Sequence, residues 1–187
     1  MPQDALFEML KDIGDGSIAK ETPDCSVTKM RGNEQIHLIS STDFFYPLVE
    51  DPYLQGRIAC ANVLSDIYAM GIDRIDHMLM ILAISLKMSG PERSVVTKQI
   101  ISGFNDTANE AGTLITGGQS VMNPWPMIGG VANVVCHEDD YLKVNQGQVG
   151  DMLVLTKPIG TQVAVNLNEW IVEENEKWTE KASKVIS

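Results

Sequence analysis

Asp51-Pro52 and Gly71 fix both ends of one long helix, and that helix dictates much of what the rest of the chain must do. An aspartate before proline puts a capping carboxylate ahead of a residue suited to the first helical position. A glycine about five turns later supplies the usual stop. Within the bracket, Leu54, Ile58, Ala61, Leu64 and Tyr68 recur at helical spacing and form the expected apolar stripe. Gly56, Ala59 and Cys60 are small enough to let another element approach closely. A helix of this kind needs a sheet or a second helix to lie on.

The neighbouring segments supply both. The run 35–42 reads as a strand ending at Asp43, and a second strand is expected at about 77–86. Ser89, Pro91 and Glu92 open another helix whose stripe runs through Val96, Ile100, Phe104, Ala108 and Ala111, with Gly112 as its stop. Further strands are expected over 113–116, 127–136 and 152–156, and Thr161 is placed to cap a helix running towards Trp170. A short helix over 2–12 and a polar, Gly/Pro-punctuated loop from Gly14 to Asp24 precede them. Strands separated by two long helices indicate an α/β or α+β domain with helices covering one face of the sheet.

The bulk properties narrow the partners. The net charge of -11 over 187 residues disfavours nucleic acid and anionic membranes, which it would repel, and makes a divalent cation the natural counterpart. Cys25, Cys60 and Cys136 form neither a paired disulfide framework nor a CxxC site, which fits a reducing compartment and a cytoplasmic protein. The apolar run 78–84 is too short to span a bilayer, and the opening residues lack a secretory signal. His37, His77 and His137 share no ligand-type spacing and read as structural histidines.

Three aspartates and one glycine pair carry the candidate chemistry. Asp66 lies in the last turns of the bracketed helix, where the macrodipole disfavours a carboxylate unless a cation offsets the field. From that segment alone, a solvated aspartate is the simpler reading. Asp43 sits where a strand exits into a loop, a position equally suited to a ligand group or a turn former. Asp24, beside Cys25, says little by itself. Gly117-Gly118-Gln119-Ser120 follows a short strand as a glycine turn does, and paired glycines expose N–H groups to a phosphate; a plain tight turn explains them as well.

In order, these signals resemble a known family. Thr42-Asp43-Phe44-Phe45-Tyr46-Pro47, Asp51-Pro52-Tyr53, the block from Gly56 to Gly71, Thr116-Gly117-Gly118-Gln119-Ser120, Asn123-Pro124-Trp125, Gly129-Gly130-Val131-Ala132 and the block from Gly150 to Gln162 closely resemble the selenophosphate synthetase pattern, over about residues 24–166. The resemblance implies the α+β fold of the aminoimidazole-ribonucleotide-synthetase superfamily. That fold is a half-barrel, mostly antiparallel sheet with helices on one face, pairing with a second copy into a dimeric barrel.

The resemblance also implies conversion of ATP, selenide and water to selenophosphate, AMP and phosphate, with Mg²⁺, and K⁺ as a further cation. By position, Asp24 and Asp66 are the implied Mg²⁺ ligands, and Asp43 and Asp66 the implied nucleotide-site residues working through metal. Gly117, Gly118, Gln119 and Ser120 are implied to touch ATP from the partner subunit. The family's catalytic Cys or selenocysteine and its Lys are expected before Met1, and a further metal aspartate beyond residue 187; no catalytic residue is assigned within the chain. Glu21-Thr22-Pro23 departs from the family's glycine-rich approach to its first metal aspartate. The expected layout is an ATP/Mg-binding amino-terminal domain over 1–157, with a mobile lead segment 1–23, and the start of a carboxy-terminal domain over 158–187. The expected behaviour is ATP and Mg²⁺ binding without turnover. Two other readings stand beside it: another ATP-using member of the superfamily, and a non-catalytic dimerisation partner of an intact synthetase.

Overall fold

The computed structural model describes residues 25–143 and 146–172, together with Ala5, Glu8 and Met9. The three early residues are helical, in line with a helix over 2–12, whose remainder lies outside the described residues. The loop 14–24, including Asp24, also lies outside them. The backbone separates into two compact units, Met1–Val144 and Asn145–Ser187.

The first unit carries β1 (Ser26–Met30), β2 (Asn33–Phe45), α1 (Pro52–Ala69), β3 (His77–Ser85), α2 (Gly90–Glu110), β4 (Ile115–Asn123) and β5 (Met127–His137). The strands form one five-stranded sheet in the order β1-β2-β5-β3-β4. Every neighbouring pair is antiparallel except β3 and β4, which run parallel. A parallel pair cannot be joined by a tight turn, and here α2 makes the crossover. Strands β1 and β2 meet at a tight turn where Gly32 has φ +87°, a conformation that favours glycine. The fold is therefore the α+β, mostly antiparallel arrangement expected.

Strand alternation sorts the sheet into two faces. His37, Ile39, Ser41, Asp43 and Phe45 of β2 share one face with Ile128, Gly130, Ala132 and Val134 of β5 and with Met78, Met80 and Leu82 of β3. Helix α1 packs against this set at β2 and β5, and α2 packs against β3 and against α1. The core is built between them from Ile39, Met78, Leu82, Ile128 and Ala132 below and Ala59, Cys60, Val63, Leu64, Ile67, Ile100, Phe104 and Ala108 above.

Both helix starts behave as their sequences require. Asp51 Oδ1 accepts hydrogen bonds from the backbone N–H of Tyr53 at 2.8 Å and of Leu54 at 3.1 Å. Glu92 Oε2 accepts from the Ser89 backbone N–H at 2.8 Å and from the Ser89 hydroxyl at 2.7 Å. The stops at Gly71 (φ +78°) and Gly112 (φ +71°) are also as expected.

The buried face of α1 corrects the expectation. It consists of Gln55, Gly56, Ala59, Cys60, Val63, Leu64 and Ile67, while Leu54, Ile58, Ala61 and Tyr68 are exposed. The buried face is rotated from the expected stripe, because α1 is approached from two sides and one approach, at Gly56, is extremely close. A Cβ on Gly56 would lie 2.1 Å from the carbonyl oxygen of Ile100, and one on Gly103 would lie 2.0 Å from that of Tyr53. Around this crossing Arg57 donates to both carboxylate oxygens of Glu110, at 3.1 and 2.8 Å, and the Tyr53 hydroxyl donates to Asp106 at 2.9 Å. These groups are exposed, so water screens the ion pair and it adds little to stability.

Two strand expectations are also corrected. Residues 152–156 form no strand, and β1 arises where none was expected. The strand expected over 113–116 begins at Ile115 and continues to Asn123, so Gly117 and Gly118 lie inside β4 rather than in a turn after it. A Cβ on Gly118, whose φ is +147°, would lie 1.9 Å from the Met80 carbonyl oxygen, so β4 can pair with β3 there only through glycine. In the second unit, α3 (Thr161–Val172) realises the expected helix, and the Thr161 hydroxyl donates to the Pro158 carbonyl at 3.0 Å. No helix among the described residues is long and apolar enough to cross a membrane.

The crossing generates a paired prediction. Gly103→Ala forces a methyl into the α1 backbone and should destabilise the chain by about 1–3 kcal/mol. Gly90→Ala meets nothing within 4 Å and should stay within about 0.5 kcal/mol of the parent. Urea unfolding followed by circular dichroism checks both, and equal midpoints for the two variants would contradict the crossing.

Candidate functional site

The inner face of β2 turns polar towards its carboxyl end. After Ile39, which is fully buried, the inward positions are Ser41 and then Asp43. Across the β2–β5 ladder these two stand opposite Ala132 and Gly130. No side chain from β5 therefore rises beside Asp43, and the side chain opposite Ser41 is a single methyl. The close approach of β5 is itself glycine-dependent. A Cβ on Gly129 would lie 2.1 Å from the Asp43 carbonyl oxygen, and one on Gly130 would lie 2.6 Å from that of Leu79.

Helix α1 brings Asp66 onto this face. The Ser41 hydroxyl donates a hydrogen bond to Asp66 Oδ2 at 3.0 Å. Asp66 is half-buried and lies in the last turn of α1, a turn that carries no basic residue. The negative end of the helix dipole thus faces a carboxylate that the helix itself does not neutralise. Asp43 stands two residues beyond Ser41 on the same side of β2, roughly 7 Å further along the strand. Asp66 therefore meets β2 at Ser41, two residues before Asp43 on the same sheet face.

A buried amide ties the two supporting elements together. Gln55, only 3% exposed, accepts from the Leu48 backbone N–H at 2.8 Å and donates to the Tyr46 carbonyl at 3.3 Å. The loop leaving Asp43 is thereby fastened to α1. Nearby, Trp125 of the Asn123-Pro124-Trp125 block joins Tyr46, Pro47 and Met127 around an apolar recess of about 360 Å³.

Gly117, Gly118, Gln119 and Ser120 lie elsewhere. Asp43, Gly130, Met80 and Gly118 form one register line across four strands, so Gly118 is three strand spacings, roughly 14 Å, from Asp43. The segment lies on the exposed edge strand of the sheet, and within one copy it does not meet the two aspartates.

Two hard oxygen donors fit Mg²⁺, which commonly takes one or two carboxylates and completes its octahedron with waters and phosphate oxygens. Among the described residues no three His, Cys, Asp or Glu side chains gather as a metal cage would require. The expected ligand Asp24 lies outside the described residues.

The histidines and cysteines are engaged differently. His37 Nδ1 lies 2.7 Å from the Tyr141 hydroxyl and its Nε2 lies 3.1 Å from the Glu34 carbonyl oxygen. His77 Nε2 is 3.2 Å from Asn133 Nδ2, and His137 Nδ1 is 3.3 Å from Asp139 Oδ2. Burial pushes the Cys60 thiol up to about 12, and Cys136 is raised by burial and then by Asp140 and Asp76, so both remain thiols at neutral pH.

Sequence reasoning missed Ser41 and Gln55. Strict alternation from Ile39 to Asp43 puts Ser41 inside, and Gln55 falls one turn after the Asp51 cap on the side that packs, so both signals were present.

Comparison with known proteins agrees with this architecture. Residues 22–135 match the family described as AIR synthase related protein, N-terminal domain. Selenide, water dikinase 2 of Mus musculus is 57% identical over 152 residues, which is 81% of this chain and 33% of that protein. Selenide, water dikinase of Dictyostelium discoideum is 47% identical over 178 residues, 95% of this chain and 47% of that protein. The chain thus spans a third to a half of the length of these curated relatives. The solved structure of AaThiL complexed with AMPPCP and TMP superposes with a TM-score of 0.70 at 14% identity, over 98% of this chain and 58% of that one, a likeness of fold. The resemblance to selenophosphate synthetases carried by residues 24–166 is borne out in these identities. The matched stretch, which holds β1 to β4, both long helices and most of β5, makes this chain a member of the AIR synthase related protein family, N-terminal domain.

Proposed function

We propose that this chain is the ATP- and Mg²⁺-binding part of a selenide, water dikinase, the enzyme that turns ATP, selenide and water into selenophosphate, AMP and phosphate. The observation that carries the reading is the 47–57% identity to selenide, water dikinases over 152–178 residues. The 14% identity to AaThiL gives no comparable support for the reading as another ATP-using member of the superfamily. The reading as a non-catalytic dimerisation partner shares the same sheet and differs only in whether nucleotide is bound.

In this proposal Asp24 and Asp66 hold Mg²⁺, and Asp43 and Asp66 engage the ATP phosphates through the metal. The metal, when bound, would draw off negative charge from the phosphate oxygens. The chain's own contribution is positional. Helix α1 and the loop fastened by Gln55 hold Asp66 and Asp43 on one face of the sheet. The domain extends over 1–157, with 158–187 beginning the next, and Cys25, Cys60 and Cys136, none of them in a disulfide, fit a cytoplasmic setting.

A homodimer belongs to the same proposal. The outer sheet face exposes Phe44, Val121 and Val135, and β4 leaves its outer edge without a strand neighbour among the described residues. A second copy would cover both and would bring Gly117 to Ser120, with their exposed backbone donors, to the other copy's aspartates. Light scattering at micromolar concentration should report twice the chain mass, and a monomer alone would remove this part of the proposal.

Asp66→Asn should weaken Mg²⁺-dependent ATP binding about tenfold or more, while Asp139→Asn should leave it unchanged. Asp139 is highly exposed in a polar turn and pairs with His137. Calorimetric titration with Mg·ATP, with and without K⁺, checks this, and equal effects of the two variants would reject the assigned site.

The 187 residues by themselves should bind Mg·ATP and make no selenophosphate. Phosphoryl transfer depends on positioned cations, and loss of one such contact can cost a factor on the order of a thousand or more. Phosphorus NMR with ATP, Mg²⁺ and selenide, beside an intact synthetase, reads the outcome. Selenide-dependent product at a comparable rate would overturn the expectation.

A further inference from the structure

We infer that Ser41 is a positioning residue for the metal, holding the Asp66 carboxylate in the orientation it presents to a cation; the inference rests on the metal reading of Asp66 above. Ser41 is 2% exposed, in a strand whose neighbouring inward residue Ile39 is fully buried and whose cross-strand partner is Ala132. A hydroxyl in that setting is costly unless it is hydrogen-bonded, and its bond goes to Asp66 Oδ2 at 3.0 Å.

The bond is directional. The serine donates its one proton, and an ionised carboxylate accepts at two oxygens with about four lone-pair directions. With Oδ2 engaged from β2, Oδ1 and the remaining Oδ2 direction are left for a second positive partner. The carboxylate is also held on both sides, by α1 through its backbone and by β2 through Ser41. That constraint matters because Asp66 sits at the negative end of α1 with no basic residue in the last turn. An unfixed carboxylate there would turn outward to water.

The adjacent serine provides an internal control. Ser40 points to the opposite face of β2, where its hydroxyl donates to Asn133 Oδ1 at 2.7 Å. Ser40 and Ser41 have the same chemistry and the same strand, and only one of them touches the carboxylate.

The experiment uses the full 187-residue chain with ATP and Mn²⁺ in place of Mg²⁺, following the free-Mn²⁺ electron paramagnetic resonance signal. Ser41→Ala should weaken Mn²⁺ binding about ten- to a hundredfold, as loss of a group that orients a metal ligand does. Ser40→Ala should bind as the parent does. Ser41→Thr, which keeps the hydroxyl, should recover most of the affinity, and urea midpoints of all variants separate this from general destabilisation.

If Asp66→Asn abolishes Mn²⁺ binding while Ser41→Ala matches the parent, the positioning role is overturned and the metal reading survives. If Asp66→Asn binds Mn²⁺ as the parent does, the metal reading falls and takes this inference with it. If Ser40→Ala and Ser41→Ala lose affinity equally, or Ser41→Thr stays as weak as Ser41→Ala with a parental urea midpoint, the hydrogen bond to Asp66 is not the cause and the inference is overturned.

Discussion

The contact between α1 and α2 at Gly56 and Gly103 sets the position of everything above the sheet. The backbones approach so closely there that a methyl group on either glycine would overlap a carbonyl of the other helix. Close contact of this kind gains dispersion along the crossing and fixes the two axes against sliding. Because α2 is at the same time the crossover between β3 and β4, the crossing also ties α1 to the parallel half of the sheet. Helix α1 then has no freedom to rotate about its axis, and the residue it presents to β2 in its last turn is Asp66.

The site inherits its geometry from that constraint. Ser41 and Asp43 are inward on β2 because the strand alternates, and Asp66 reaches Ser41 because α1 is fixed from behind by α2. The Gln55 amide completes the frame by holding the loop at Tyr46 and Leu48. Gly130 on β5 makes room for the ring of Phe104 from α2, whose Cζ would lie 3.1 Å from a Cβ at that position, so the inner face beside Asp43 is filled by a helix residue and not by the strand itself. The electrostatics run the same way: the helix dipole disfavours a carboxylate at its carboxyl end, and the Ser41 hydroxyl donates to it there.

Local signals made the helices legible. Asp51-Pro52, Ser89 with Glu92, Gly71 and Gly112 act within a few residues, and each does in three dimensions what its chemistry states. The stripe of α2 was legible too, because α2 buries one broad side. The stripe of α1 was not: Leu54, Ile58 and Tyr68 have the right period, yet the close approach at Gly56 turns the helix so that Ala59, Cys60, Val63, Leu64 and Ile67 face the core, and periodicity does not report where a backbone must come close. Gly117-Gly118 misled for a related reason. A glycine pair looks the same in a turn as in a strand that must pass close to its neighbour, and only the pairing with β3 distinguishes them. The candidate site was half legible: Asp43 and Asp66 were picked out singly, but the meeting of Asp66 with β2 at Ser41 depends on the α1–α2 crossing, which no local pattern encodes.

The two adjacent glycines of β4 respond to substitution in opposite ways. At Gly118 the backbone angle and the Met80 carbonyl together exclude any side chain, whether or not a ligand ever approaches. At Gly117 an added Cβ would make only ordinary contact, 3.4 Å from Leu79 Cδ2. In a library of variants selected for function, glycine at 118 would be retained by architecture alone and would carry no information about nucleotide. Retention of glycine at 117, where the fold is indifferent, would be the signature of something that has to come close to this strand from outside.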